Sequence, residues 1–397
     1  MKKQFLELSA RQNFTCLGSD CPRDCCHEWD KIVIDKDTLE KWDATKDDKT
    51  KKLLMSHVDS SNDGTPILKM SDDKVCTALE NGLCSIQLQL GHEYLSETCR
   101  TFPRVSFHNN YRNYDSALFS CPAIVDSVLF SSSDKPLFSV LDTGEKNEQT
   151  VNDYSNLLFS LDTFLTAIID RTKYPLGITL FFVSDVFANI IKMIQTGQFT
   201  DQTMQELNQN IDTYLTDISK AVKHGKLGPN PVTSGSFWKS IYELCESHNI
   251  NQVYLGDESD YFIKEIKGCD GSFASYTKIY SHVKKYSKKA NKQIKHQYIP
   301  LLRKFIQLTF VNKGFPLAPN NTLNKVLVDC FMTISVFQLL LWFEVNKNGK
   351  LTDKFIRDCV VEVDRKFALH DGVIKGLEED PHMIQIEKYC NSFLDLF

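Results

Sequence analysis

From Asn152 onward the apolar positions recur at helical spacing almost without interruption. Leu157, Leu158, Leu161, Phe164, Leu165 and Ile168 mark one amphipathic helix. Pro175 opens a second, running to about Gln195, whose apolar residues cover most sides and so predict burial. A third runs from Asp201 to about His224 on Met204, Leu207, Ile211, Leu215 and Ile218. Gly225 to Ser236, with Pro229 and Pro231, predicts a loop. Helical patterns return at 237–248, 258–266, 274–312, 322–345 and 351–376, punctuated by Pro300, Pro316 and Pro319. Before Asn152 the pattern is weaker. Residues 4–15 are a mixed lead-in, and alternation around Trp29, Ile32 and Ile34 predicts a short extended segment. Asp35 or Asp37 is a candidate N-cap for a helix to about His57, and Asp59 to Thr65 is a polar loop. Ile86 to Thr98 predicts a short helix stopped before Pro103, and Leu118 to Phe130 has helical spacing. Strand signals are few. The chain is expected to be mostly α-helical.

At 397 residues the chain exceeds the size at which single cores divide, so two domains are expected, with a boundary in the polar stretch 131–151. The first, 1–135, is expected to be a cysteine-rich metal-binding domain, and the second, 150–397, an all-helical domain for substrate and cofactor binding. The net charge of -5 gives no reason to expect nucleic-acid binding. Lys284, Lys285, Lys288, Lys289, Lys292 and Lys295 form one basic helical segment, read as a solvated face. The longest uncharged apolar run, Cys330 to Phe343, falls short of the ~20 residues of a membrane span, and no apolar signal segment follows Met1. No membrane partner and a cytoplasmic location are therefore expected. In a reducing compartment, clustered cysteines point to metal or redox chemistry before disulfides.

Composition changes the picture at one place. Of 13 cysteines, the isolated Cys245, Cys269, Cys330, Cys359 and Cys390 are read as small buried hydrophobes. The other eight, Cys16, Cys21, Cys25, Cys26, Cys76, Cys84, Cys99 and Cys121, fall in the first 121 residues. Four thiolates complete a tetrahedral zinc site or hold an iron–sulfur cluster, so all eight are candidate ligands and some of them must be structural. Paired Cys-x2-Cys knuckles of a zinc ribbon are absent, and so is Cys-x3-Cys-x2-Cys, since only Cys21-x3-Cys25 fits it.

The run Cys16…Cys21…Cys25-Cys26-x2-Trp29, then Cys76…Cys84-Ser-Ile, Leu90-Gly91…Leu95-Ser96…Thr98-Cys99-Arg100-x-Phe-Pro103-Arg104 and Ser120-Cys121-Pro122, resembles the flagellin lysine-N-methylases. Cys76 to Arg104 is also similar to a wider group of cysteine-rich, zinc- or iron-chelating domains. Ala123 departs from the acidic residue common after the Cys-Pro turn. The resemblance implies methyl transfer from S-adenosylmethionine to lysine side chains of flagellin, with a 4Fe–4S cluster in the cysteine-rich part. It covers about the first third of the chain. No glycine-rich loop follows a strand, since Gly268-Cys-Asp-Gly271 is too short, so a Rossmann methyltransferase fold is not expected.

Lysine methylation needs a neutral amine held in line with the sulfonium methyl. Trp29, Tyr94, Phe102, Tyr111 and Tyr114 are candidate tunnel aromatics, although ordinary core packing is the favoured reading of each. Arg100 and Arg104 are candidates to fork onto the cofactor carboxylate, or to neutralise thiolate charge. Asp115 is a weak candidate proton acceptor, His27 a possible ligand, and His370 is read as structural. Two other readings stand beside the methyltransferase: a non-enzymatic zinc- or iron-binding interaction module, and, more distantly, a thiol redox enzyme.

Overall fold

The computed structural model describes residues 4–27, 29, 31–108, 112–131, 136–141, 153–250, 254, 260–315, 323–368 and 389–395. Tyr111, Pro316, Pro319 and His370 lie outside them. The short strands are β1 (Gln4–Leu8), β2 (Val58–Ser60), β3 (Pro66–Leu68), β4 (Leu79–Glu80), β5 (Leu83–Cys84), β6 (Arg104–His108), β7 (Arg112–Ala117) and β8 (Phe138–Leu141). Four of them form one sheet in the order β6-β7-β1-β8, and β2-β3 and β4-β5 are two-stranded ribbons.

The lead-in at 4–15 is thus a central strand. β1 pairs parallel with β7, Gln4 opposite Arg112, and antiparallel with β8, Leu8 opposite Phe138. Both partners lie far along the chain, and a strand this brief is too short for its alternation to be read locally. The helix expected from Asp35 to His57 is two, Lys36–Asp43 and Asp48–Ser56. Asp35 caps the first and Asp47 the second, each through an oxygen accepting an amide three residues on. Asp59 to Thr65 spans the turn between β2 and β3. Gly91, at φ 97°, divides the expected Ile86–Thr98 helix into Ser85–Leu90, a 3-10 turn and Glu97–Thr101.

The helical remainder follows the periodicity closely: Asp153–Ile169, Leu176–Gln195, Asp201–Lys223, Tyr261–Lys267, Leu323–Asn348 and Asp353–Ala368. Two differences are local. The Pro231–Ser247 helix starts inside the expected loop, because the Asn230 side chain accepts from the amides of Val232 and Thr233 and proline suits the first helical position. The 274–312 pattern breaks at Tyr298 into Phe273–Gln297 and Ile299–Asn312, with Pro300 in the first turn of the second. The chain is mostly helical, as the sequence predicts.

Two hydrophobic cores result. The large one joins Leu8 and Phe119 of the N-terminal part to Trp238, Trp342 and Phe393 of the helices. The small one, Ile32, Ile34, Trp42, Leu54, Leu68, Ile86 and Leu95, holds Cys76, with Cys26, Cys84 and Cys99 packed against it. Leu176–Gln195 and Leu323–Asn348 are long and apolar enough to cross a membrane, yet 67% and 94% of their most apolar windows are buried within the protein. A helix apolar on all sides is what a large core requires at its centre.

Candidate functional site

Thiols gather where the small core meets the sheet. Cys25 and Cys26 sit on the loop after the Gly18–Asp20 turn. Cys76 precedes the β4-β5 ribbon, Cys84 ends it, and Cys99 lies in the Glu97–Thr101 helix, whose Ser96 cap accepts the Cys99 amide at 3.4 Å. Cys121 follows β7 and leads into the Pro122–Val125 turn. A cavity of about 390 Å³ is lined by seven of the eight, Cys16, Cys21, Cys25, Cys26, Cys84, Cys99 and Cys121. An adjoining cavity of about 60 Å³ is lined by Cys76 together with Cys25, Cys26, Cys84 and Cys99. Folding brings all eight candidates to one place.

All eight are free thiols. Cys25, Cys26, Cys76, Cys84 and Cys99 are near enough that charge on Cys25, Cys76 and Cys84 disfavours ionising Cys99. Cys16 and Cys21 act in the same way on Cys121, and Cys25 acts on Cys21. The Cys26 thiol hydrogen-bonds to Cys25 and brings its pKa down to about 7, while the same bond and burial push Cys26 up. Burial raises Cys99 to about 12 and Cys121 to about 11, and raises Cys21, Cys76 and Cys84 as well. Backbone amides oppose this: Ala78 faces Cys76, Ile86 and Gln87 face Cys84, and Ala123 and Ile124 face Cys121. Amides aimed at sulfur suit thiolates, the form that binds soft metals. Among the described residues, no three His, Cys, Asp or Glu side chains are gathered tightly enough for a single metal ion. The donor chemistry fits a thiolate-held group, with the sulfurs arrayed around a cavity and not drawn onto one point.

Arg100 and Arg104 both line the larger cavity, as do Arg23, Gln87 and His92. Arg104 stacks over the Phe14 ring at 4.9 Å. Of the candidate aromatics, Trp29 and Phe102 meet edge to face at 5.9 Å beside the thiols. Trp29 Nε1 donates to the Cys25 carbonyl at 2.6 Å. Tyr94 instead carries Lys41 over its ring. Asp115 is held by Arg11 at 3.1 Å and by the Ser106 hydroxyl at 2.5 Å, outside the thiol cavity. His27 Nδ1 pairs with Asp24 at 2.7 Å.

The sequence held no sign of what holds this loop in place. Arg365, on the Asp353–Ala368 helix, donates through Nη2 to the carbonyls of Arg23 and Asp24, both at 2.8 Å, and through Nε to Ser120 at 3.2 Å. Its neighbour Asp364 accepts from the Ser120 amide at 2.6 Å and hydroxyl at 2.5 Å. Arg23 pairs with Glu362 one turn earlier. The thiol-bearing segments are therefore anchored by a helix more than two hundred residues downstream, a contact that no local pattern announces. A further cavity of about 590 Å³, lined by Arg112, Tyr114, Asp162, Asp170 and Phe315, was equally hidden. There Tyr114 donates to Asp162 at 2.7 Å, and Arg112 donates to Asp162 and, at 2.8 Å, to Gln4.

Three curated relatives match a stretch of this chain. The chain is 33% identical over 124 residues to the lysine-N-methylase of Salmonella choleraesuis, a match covering 30% of each chain. It is also 33% identical over 123 residues to the lysine-N-methylase of Salmonella typhimurium, covering 29% of this chain and 30% of that one. The flagellar biosynthetic protein FliU of Salmonella muenchen is 32% identical over 124 residues, 30% of this chain and 72% of FliU. The chain belongs to the family of the flagellar biosynthetic protein FliU. Its match spans 30% of the length of the two lysine-N-methylases. No family model and no solved structure matches this member.

Proposed function

We propose that this protein transfers methyl groups from S-adenosylmethionine to lysine side chains of flagellin, at the thiol-lined cavity. The observation that carries the reading is the convergence of seven thiols, Arg100 and Arg104 on one cavity in a relative of lysine-N-methylases. Cys25, Cys26, Cys76, Cys84 and Cys99 are the pool from which a 4Fe–4S cluster would take its ligands, with Cys16, Cys21 and Cys121 also lining the larger cavity. When bound, such a cluster supplies a redox-active, Lewis-acidic centre. Zinc on the same thiols is the alternative occupant.

Arg100 and Arg104 are assigned to the carboxylate of the methyl donor, which a guanidinium fork holds through paired hydrogen bonds. The substrate amine must be neutral to attack. Its nitrogen then forms a bond to the methyl carbon as the carbon–sulfur bond breaks, the electron pair leaving on sulfur and the amine proton passing to a base. His92, on the cavity lining, is assigned the role of that base. Trp29 and Phe102 offer aromatic surface to the lysine stem and to the methylated cation.

The test is iron, sulfide and zinc content of anaerobically purified protein, followed by transfer of labelled methyl from S-adenosylmethionine to flagellin. About four irons and four sulfides per chain, with labelled flagellin, is the expected result. Zinc without colour would replace the cluster with a zinc scaffold. Metal without transfer would leave a binding module. Full metal content in Cys25→Ala and Cys84→Ala would remove these thiols from the ligand pool.

A further inference from the structure

The Phe273–Gln297 helix divides its charge from its apolar surface completely. Ile279, Val283, Tyr286, Ala290 and Ile294 are buried on one side. On the other, Lys278, Lys284, Lys285, Lys288, Lys289, Lys292 and Lys295 are all exposed. At 3.6 residues per turn these lysines fall within an arc of about 140° and along about 25 Å of helix. The helix contains no acidic residue, in a chain whose net charge is -5. Among the described residues none of the seven lysines forms an ion pair; Lys284 lies over the Tyr280 ring of its own helix.

The basic surface widens at one end. Gln293 donates through Nε2 to the Gly349 carbonyl at 2.7 Å and accepts through Oε1 from the Leu351 amide at 3.1 Å, which seats the turn bearing exposed Lys347 and Lys350 beside the stripe. Of the carboxylates flanking that turn in sequence, Glu344 accepts from Asn348 and Asp353 from Tyr298. At the other end Phe273 is 73% exposed, and on the helix it borders the edge of the lysine arc. Tyr261, 75% exposed, carries Lys264 over its ring at 5.6 Å on the preceding helix.

We propose that this face docks the protein reversibly on an anionic lipid surface. Lysines on one side of an amphipathic helix gain with each positive charge brought near anionic headgroups, and an aromatic ring gains by entering the interface. Phosphate chains would also attract the charge, but the stripe has no arginine fork, and Tyr280 and Tyr286 among its lysines are buried and cannot stack bases. An exposed phenylalanine at its end gains nothing from a phosphate backbone.

The test is co-sedimentation of the full chain with vesicles of phosphatidylcholine, alone or with about 30% phosphatidylserine. Binding to the anionic vesicles only, lost at high salt, is expected. The triple variant K285E/K288E/K292E should lower partitioning by at least roughly 100-fold, and F273S several-fold with the salt dependence kept. These side chains are exposed, so both variants should melt as the parent does. Failure to bind anionic vesicles, equal binding to neutral ones, or full binding by the triple variant would overturn the proposal. Displacement by duplex DNA at lower charge concentration would overturn it in favour of nucleic acid.

Discussion

Cys25 and Cys26 adjoin in sequence yet ionise oppositely, because one thiol donates and the other accepts. With its pKa near 7, Cys25 is protonated and unreactive below that pH and a thiolate above it. In reduced, metal-free protein its alkylation, mapped by peptide, should rise through pH 7, while Cys99, pushed up to about 12, stays slow through pH 9. Cys26→Ala removes the donor, so Cys25 should alkylate roughly ten-fold more slowly at pH 7; an unchanged rate would place the cause elsewhere. His92→Ala should lower methyl transfer by roughly 10²-fold near neutral pH, and more alkaline solution, which deprotonates the amine directly, should restore part of it. Arg365 is the residue whose loss reaches the thiols from afar. Three carbonyls adjoining Cys25 and Cys121 depend on it, so Arg365→Ala should cost about 2–4 kcal/mol in denaturant unfolding. Native-state proteolysis should then begin between residues 16 and 26.

At the level of elements, caps decided most of the differences between expectation and structure. Asp35 was legible as a cap, but its second oxygen also accepts the Glu97 amide at 2.7 Å, tying the first helix to the segment bearing Cys99. Asp35→Ala should therefore cost about 1–2 kcal/mol, more than an ordinary exposed cap; urea midpoints beside those of Asp47→Ala, whose cap serves its own helix alone, would show it. The long helices after Asn152 were legible because each buries a stripe of its own, and that stripe is written at helical period. β1 was not, because a strand's partners are chosen by the fold and not by its neighbours in sequence.

Across the whole molecule, one core binds the sheet to the helices and a smaller one underlies the thiols. Trp342 is fully buried, donates to Asn291 at 3.1 Å and packs on Trp238 at 4.5 Å. Trp342→Ala should destabilise by about 3–5 kcal/mol, and calorimetry would show whether the thiol region melts with the large core or separately. Joint melting is expected from the Arg365 and Asp364 contacts.

The sequence by itself determined the helical class, most helix positions and the identity of the eight thiols, since these depend on local periodicity and on side-chain chemistry. Tertiary structure alone decided that the thiols gather around adjoining cavities, and that Arg365 and Asp364 from the C-terminal part hold their loops. Those are contacts between segments hundreds of residues apart. They are selected by which surfaces the cores bring together, and no stretch of chain encodes that choice alone.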